Sequence, residues 1–220
     1  MALSRIEGDL VVEGDLRVTG TARFSDAGST GVERADLVQE SLTPFDLPPE
    51  TWRVHDNMDA LLPDPAVGGT GNDDLGIISG TYGSGVPYIS TGDNNADGAL
   101  TKYARRMVQL PHNYVAGETV TIRLRAGMKT TVADTSATVD VQAFKSNNEG
   151  AVDGSDLCAT AATTCNSLTP ADKDFTITPT TLSPGDWLDV RIAIATNDGA
   201  TAGAVIGFIG RAQLLCDTKG

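Results

Sequence analysis

The stretch that decides the fold runs from Trp187 to Ala195 and reads Trp-Leu-Asp-Val-Arg-Ile-Ala-Ile-Ala. Within it, large apolar side chains alternate with polar or small ones, which is the period of a β-strand with one buried face. Residues 119–124 and 137–144 show the same alternation. The apolar positions are Leu188, Val190, Ile192, Ile194, Val120, Ile122, Leu124, Val139, Val141 and Ala143. Strands of this kind predict a sheet that packs one face against a second sheet.

Turn-forming residues such as Ser183-Pro184-Gly185-Asp186 separate the predicted strands. The pattern predicts strands at residues 76–80, 86–90, 102–110, 119–126, 137–144, 174–178, 187–195 and 204–215. No helical pattern lies between them from residue 100 onward. The sequence therefore predicts an all-β fold, an antiparallel β-sandwich, and about eight strands is the number of a jelly roll.

The first 25 residues contain a six-residue repeat with glycine at positions 8, 14 and 20. Apolar side chains follow each glycine at fixed spacing, as in short strands of a β-helical coil. The residues that we expect to line a contact between chains are Leu10, Val12, Leu16, Val18 and Phe24. Such a repeat needs stacked neighbours to close a core, so it predicts self-association. An ordinary β-meander packed on its own domain remains the alternative.

We divide the chain into the repeat at 1–25, a connector at 26–66 and the sandwich at 67–220. The connector is predicted to hold a short helix around Val32 to Leu42, followed by a proline-rich strap. Such a strap tends to run extended across a neighbouring surface. Phe45 and Trp52 are its expected anchors on a neighbouring subunit or an underlying shell.

Charge and composition narrow the possible partners. The net charge of −13 opposes binding to nucleic acid, whose affinity depends on cationic side chains. No apolar run is long enough to cross a membrane, and residues 1–9 lack the pattern of a secretory signal. We therefore expect a protein made in a cytosol. The odd number of cysteines argues against a disulfide framework. Cys158 and Cys165 could form a disulfide that closes a small loop under oxidising conditions. The favoured interpretation is that these two and Cys216 are buried or unreactive free thiols.

Catalytic and cofactor motifs are missing from the sequence. The two histidines, His55 and His112, have no metal-binding spacing, and no nucleophile elbow or phosphate loop is present. Asp93, Asn95 and Asp97 match the start of a calcium loop, but position twelve is an alanine, which excludes an EF-hand. These three residues form either a looser calcium site or a plain polar turn. Trp187 is interpreted as a core or interface anchor rather than a sugar platform.

Two passages resemble proteins of tailed bacteriophages. The Gly-Asp-Leu-x-Val repeat at 8–24 resembles N-terminal attachment segments of fibre and head-surface proteins. The pairing of residues 108–120 with residues 181–191 is similar to β-sandwich domains that decorate capsids or form tail appendages. The resemblance implies a non-enzymatic virion component, commonly trimeric, with no catalytic residues to carry over and no cofactor.

Three hypotheses follow. The first is a homotrimeric capsid decoration or cement protein in the virion, assembled in the host cytoplasm and bound to the major capsid protein or neighbouring virion proteins. The alternative is a tail-fibre or receptor-binding component whose sandwich contacts host glycans. A carbohydrate-active enzyme is disfavoured because the sequence shows neither a secretory signal nor an aromatic platform.

Overall fold

The computed structural model describes residues 40–65, 73–94, 98–200 and 203–219, and the compact unit to which they belong begins at Glu40. The predicted repeat contacts at Leu10, Val12, Leu16, Val18 and Phe24 lie outside the described residues, as do Asn95 and Asp97. The strands are β1 Glu40–Asp46, β2 Gly76–Ile78, β3 Tyr88–Ser90, β4 Gly98–Gln109, β5 Val120–Met128, β6 Ser136–Ser146, β7 Val152–Asp153, β8 Thr163–Thr164, β9 Ala171–Ile177, β10 Trp187–Asp198 and β11 Gly207–Lys219. One 3₁₀ turn is found in these described ranges, at Pro49–Thr51.

Two antiparallel sheets form a jelly-roll-like β-sandwich, which confirms the predicted fold class. The first sheet has the order β2-β3-β11-β5-β9, and β1 also pairs with β11. The second has the order β4-β10-β6-β7, and β8 also pairs with β6. All of these strand pairs are antiparallel, although a β-bulge shifts the β11–β5 register between Ile209 and Arg211.

The core lies between the sheets and consists of the alternating apolar residues. Leu188, Val190, Ile192 and Ile194 of β10 are each 0% exposed, and their odd-numbered neighbours from Arg191 to Ala195 face outward. Inward residues of β5 and β9, including Ile122 and Phe175, close the core from the first sheet. Burying such side chains stabilises the fold by about 1.5–3 kcal/mol each.

The end of the helix that the sequence predicts within the connector is a strand in the structure. Residues 40–42, expected to end a helix, belong to β1, which pairs with β11 over its whole length from Glu40 to Asp46. Phe45 therefore lies in a strand of the first sheet, partly buried against the core. Pro44 is compatible with this strand because β1 is at an edge, where only one side must supply backbone donors.

The segment from Leu47 to Leu62 covers the outer edge of β4. Arg53 and Arg105 exchange two backbone hydrogen bonds of 3.0 Å each. Trp52 beside them is 1% exposed, and its indole N–H donates to the carbonyl of Leu47 at 3.3 Å. This expected anchor is thus buried in the core of its own chain rather than on a neighbouring subunit, because the segment folds back onto its own sandwich.

Candidate functional site

The outward face of the second sheet carries a groove with β10 as its floor. Ala193 and Ala195 point outward there, and their short side chains leave space between larger neighbours. Ala193 lies opposite Tyr103 of β4 on one side and Asp140 of β6 on the other. These residues line a hollow of about 190 Å³. We call the hollows lined by outward residues of β4, β10 and β6 the outer groove.

The outer groove continues along the strands. A second hollow of about 290 Å³ shares Arg191 with the first, and a third of about 280 Å³ shares Arg105 with the second. The lining on β4 runs from Thr101 to Met107. At about 3.4 Å per residue, the outer groove is therefore roughly 20 Å long. An elongated ligand fits this shape better than a compact one.

Loops on both sides form the walls. His55, on the segment that covers β4, lines the middle hollow. On the opposite side, Gly150, Ala151 and Val152 after β6 line one end, and Ala162 before β8 lines the other. Of these wall residues, Val152 belongs to β7 and the others lie in loops, whereas the floor is regular sheet.

Tyr103 is the centre of an aromatic and cationic cluster. The guanidinium of Arg191 lies over its ring, 4.6 Å from the centroid, and the His55 ring lies 5.0 Å away at an angle of 44°. Arg191 also donates a hydrogen bond to the side-chain oxygen of Gln142 on β6. These contacts hold a flat apolar surface and several hydrogen-bonding groups side by side.

Arg105 and Asp189 form a two-pronged ion pair on the floor of the outer groove. The Nε atom of Arg105 donates to Oδ1 of Asp189 at 2.6 Å, and Nη2 donates to Oδ2. The hydrogen bond to Asp189 is the main reason why the pKa of Arg105 is raised above its usual value. Such a pair fixes the position of both side chains.

Asp140 supplies a further carboxyl group to the groove wall. Burial raises its pKa above the usual value, and the neighbouring Asp156 adds to this shift, while a backbone hydrogen bond and Arg191 act against it. The group borders the same hollow as Tyr103 and Thr138. It therefore provides a hydrogen-bonding wall beside the aromatic cluster.

Trp187 extends this face beyond the groove. As the first residue of β10 it shares the outward side with Asp189 and Arg191, since alternate residues of a strand face the same way. Its side chain is 38% exposed, and its partner on β4 is Gln109. Trp187 is therefore not a core anchor, because the strand begins with this side chain on the solvent side, and its interpretation as an interface anchor stays a prediction.

One group of potential metal ligands occurs within the described ranges. His55, Asp56 and Asp74 each offer one atom, all within 4.8 Å of one another. The imidazole is already engaged, with Nδ1 at 3.2 Å from Oδ1 of Asp74 and Nε2 at 3.5 Å from Oδ2 of Asp73. These contacts hold the His55 ring in place at the groove wall.

The outward face of the first sheet is different in character. Arg123 makes a two-pronged pair with Asp174 at 2.6 and 2.7 Å, while Arg125 and Arg211 both contact Asp172. Arg123 and Arg125 pair with the neighbouring strand β9, and Arg211 reaches β9 from β11 across β5, as on a solvated sheet surface. This part of the first sheet is therefore a charged surface whose side chains are paired with one another.

The predicted calcium residues are only partly described. Oδ1 of Asp93 accepts a hydrogen bond from the backbone N–H of Val205 at 3.0 Å, so this residue fastens the loop after β3. Its neighbour Asn94 is buried, and so is Asp198 at the end of β10. The sequence alone singles out neither residue, although Asp198 occupies one of the alternate positions of β10 that face the core.

All three cysteines are free thiols. Burial raises the pKa of Cys165 and of Cys216 to about 11, and burial also raises the pKa of Cys158. Such thiols are poor nucleophiles at neutral pH.

Comparisons with known proteins give fold-level likenesses only. No protein-family model matches the chain, and no curated protein matches it at a significant level. The tailed-phage resemblance therefore remains a hypothesis. Among the described residues, no helix has the length and apolar character needed to cross a membrane.

Several solved structures are loosely similar. The CBM22-1 xylan-binding domain of Paenibacillus barcinonensis Xyn10C has 12% identity and a TM-score of 0.34, over 68% of this chain and 84% of that one. The C-terminal family 22 carbohydrate binding module of Clostridium thermocellum Xyn10B has 15% identity and a TM-score of 0.35, over 76% and 86%. A chain from infectious bursal disease virus Gx strain has 13% identity and a TM-score of 0.29, over 90% and 54%. Likeness at this level assigns no ligand or partner to this chain.

Proposed function

We propose that this chain is a non-enzymatic virion surface protein of a tailed phage, and that its sandwich binds host-surface glycans in the outer groove. The observation that carries the proposal is the outer groove itself, roughly 20 Å long at about 3.4 Å per strand residue. It combines ring faces with fixed polar groups and leads toward the exposed Trp187.

The chemistry of the outer groove suits a sugar chain. Pyranose rings present apolar faces that pack on aromatic rings, and Phe144 and Tyr103 both line the groove. The hydroxyl groups of a sugar need hydrogen-bond donors and acceptors, which Gln142, Asp140 and Arg191 supply. An open, shallow groove of this kind recognises a few consecutive units of a polymer without enclosing either end.

The polar groups of the groove favour binding over cleavage. Hydrolysis of a glycosidic bond requires two carboxyl groups that act on the same bond. Asp189 is committed to Arg105 by two hydrogen bonds, which leaves Asp140 as the carboxyl with a raised pKa in the groove. We therefore expect retention of polysaccharides without turnover.

A glycan array followed by calorimetric titration tests this function. The wild-type chain should bind a defined set of surface polysaccharides, and Trp187→Ala should weaken binding at least tenfold, because the ring platform is lost. The matched control is Tyr82→Ala, which removes a fully exposed ring far from β10 in sequence, between β2 and β3. Equal binding by both variants would remove Trp187 from the site, and an empty array would remove the function.

A second candidate is a homotrimeric capsid decoration protein that binds the major capsid protein or other virion proteins. The glycine-spaced repeat at 8–24 favours it, because a short coil of this kind needs neighbouring copies to close its core. Removing residues 1–25 and measuring the mass in solution tests this contact. An unchanged oligomer size would exclude the repeat from assembly.

Both candidates place the protein in the virion after assembly in the host cytoplasm. Electron microscopy of intact particles distinguishes them, since a decoration protein covers the head while a receptor-binding component is confined to the tail.

A further inference from the structure

The loop after β3 meets the end of β10 at a buried corner that contains oxygen atoms without partners. Asp198 is 0% exposed, and neither of its carboxylate oxygens has a hydrogen-bond partner in the described part of the chain. Asn94 is 1% exposed, and its Oδ1 atom is also without a partner. Burying a carboxylate in this way costs several kcal/mol unless a charge compensates it.

The orientation of the Asn94 amide is fixed by its neighbours. Its Nδ2 atom donates to the carbonyl of Gly98 at 3.0 Å and to Oγ1 of Thr196 at 3.1 Å. A carbonyl only accepts, so the amide nitrogen must face Gly98 and Oδ1 must face elsewhere. The backbone N–H of Asn94 also donates to Val205 at 3.0 Å, which holds the residue in place.

The same contacts bring Asn94 to Asp198. Thr196 and Asp198 lie two residues apart on β10, so both side chains face the interior. Gly98, which accepts from Asn94, is the register partner of Asp198 on β4. The Asn94 amide therefore contacts both the register partner of Asp198 and the residue two positions before it on β10, which places the three oxygens without partners at the same buried corner.

No basic side chain in the described ranges forms an ion pair with Asp198. A buried water molecule would satisfy one or two of the oxygens, but it would leave the negative charge uncompensated. A cation satisfies both requirements. The donor set is entirely oxygen, which suits a hard cation, whereas zinc is bound mainly by nitrogen and sulfur.

We propose that Asp198 and Asn94 form part of a calcium site that fastens the loop after β3 to the end of β10. Calcium takes about six to eight oxygen ligands in flexible geometry, so backbone carbonyls and water can complete the shell. Magnesium requires near-ideal octahedral geometry and gives up its water reluctantly, so it binds more weakly here. Asp198 and Asn94 differ from the residues of the sequence-based candidate, Asp93, Asn95 and Asp97, the last two of which lie outside the described residues.

The test uses the full chain after treatment with a chelator. Calorimetric titration with calcium chloride should show one site per chain that Asp198→Asn abolishes. At a hundredfold excess over the dissociation constant, calcium should raise the melting temperature by about 5 °C or more. Magnesium should produce a smaller rise at the same concentration. Asp198→Asn should melt at one temperature with or without calcium.

Two further variants make the result specific. Asn94→Ala should weaken calcium binding at least tenfold, because it removes one ligand. Asp134→Asn is the matched control: Asp134 is exposed, accepts from the backbone N–H of Gly199 at 3.0 Å and carries the same charge, so calcium binding should persist. The proposal is overturned if the wild type shows neither binding heat nor thermal shift, or if Asp198→Asn keeps both.

Discussion

The guanidinium of Arg191 stacks on Tyr103 across the strand boundary between β10 and β4, 4.6 Å from the ring centroid. The two residues are 88 positions apart in the sequence, and only the register of the second sheet brings them together. The contact joins the aromatic and polar parts of the outer groove into one surface.

Arg191→Ala should reduce glycan affinity at least tenfold while leaving the fold intact. The substitution removes the cation over Tyr103 and the hydrogen bond to Gln142, and a partly exposed pair of this kind contributes about 1 kcal/mol to stability. Calorimetric titration gives the affinity and urea denaturation gives the stability. Arg211→Ala, on the outward face of the first sheet, is the control and should bind as the wild type does. Equal losses in both variants would contradict the groove assignment.

Trp52→Ala should destabilise the domain by about 3–5 kcal/mol, the usual cost of removing a large buried aromatic side chain. The side chain is 1% exposed and packs within the core although it belongs to the segment outside the sheets. Leu61→Ala, at 68% exposure in the same segment, should change stability by less than about 0.5 kcal/mol. Urea denaturation of both variants checks the comparison, and similar midpoints would show that Trp52 does not hold the segment in place.

Asp174→Asn should flatten the acid side of the stability curve. The hydrogen bond from Arg123 lowers the pKa of Asp174 below its usual value of 3.8. A lowered pKa in the folded state contributes stability above that usual value, and the contribution disappears as the pH falls through the folded-state pKa. The Arg123 and Asp174 side chains are 31% and 48% exposed, so we expect an effect of less than about 1 kcal/mol. Denaturation midpoints at pH 7, 4 and 2 should differ less in Asp174→Asn than in the wild type, whereas Asp153→Asn on β7 should follow the wild type.

The buried thiols should be nearly unreactive in the folded protein. With the pKa of Cys165 and Cys216 raised to about 11, little thiolate exists at pH 8, and Ellman's reagent should modify the half-buried Cys158 first. A raised pKa contributes stability that is fully present below the ordinary value of 9.0 and is lost as the pH rises through about 11. Unfolding in urea should release all three thiols together. Rapid modification of all three in native buffer would contradict the burial.

The sequence predicts the sandwich well where alternation is strong. β10 shows the pattern from Leu188 to Ile194, and every one of these apolar positions is buried. The sequence predicts β1 poorly because Pro44 interrupts a short segment, and a proline within a strand is tolerated mainly at the edge of a sheet. Whether a strand lies at the edge of a sheet depends on which strands pair with it. The partner of β1 is β11, which lies at the other end of the chain and so cannot be recognised from the local sequence. The burial of Trp52 is hard to predict for the same reason, because it depends on the segment folding back onto the sandwich.

The candidate site is harder to predict because its residues come from three strands that are neighbours in the sheet but far apart in the sequence. Ala193 and Ala195 are unremarkable singly, and they make a groove only because Tyr103 and Asp140 lie on either side. Two signals were nevertheless present along β10. Trp187 occupies one of the alternate positions of β10 that face outward, and Asp198 places a carboxylate at one of the alternate positions that face the core.

The backbone pairing of Arg53 with Arg105 has a further consequence for crowded surroundings. An unpaired strand at the margin of a sheet offers its amide and carbonyl groups to any second copy that approaches. Here Arg53 already pairs with the backbone groups of Arg105 at that margin, so an approaching copy cannot add a strand at this point of β4.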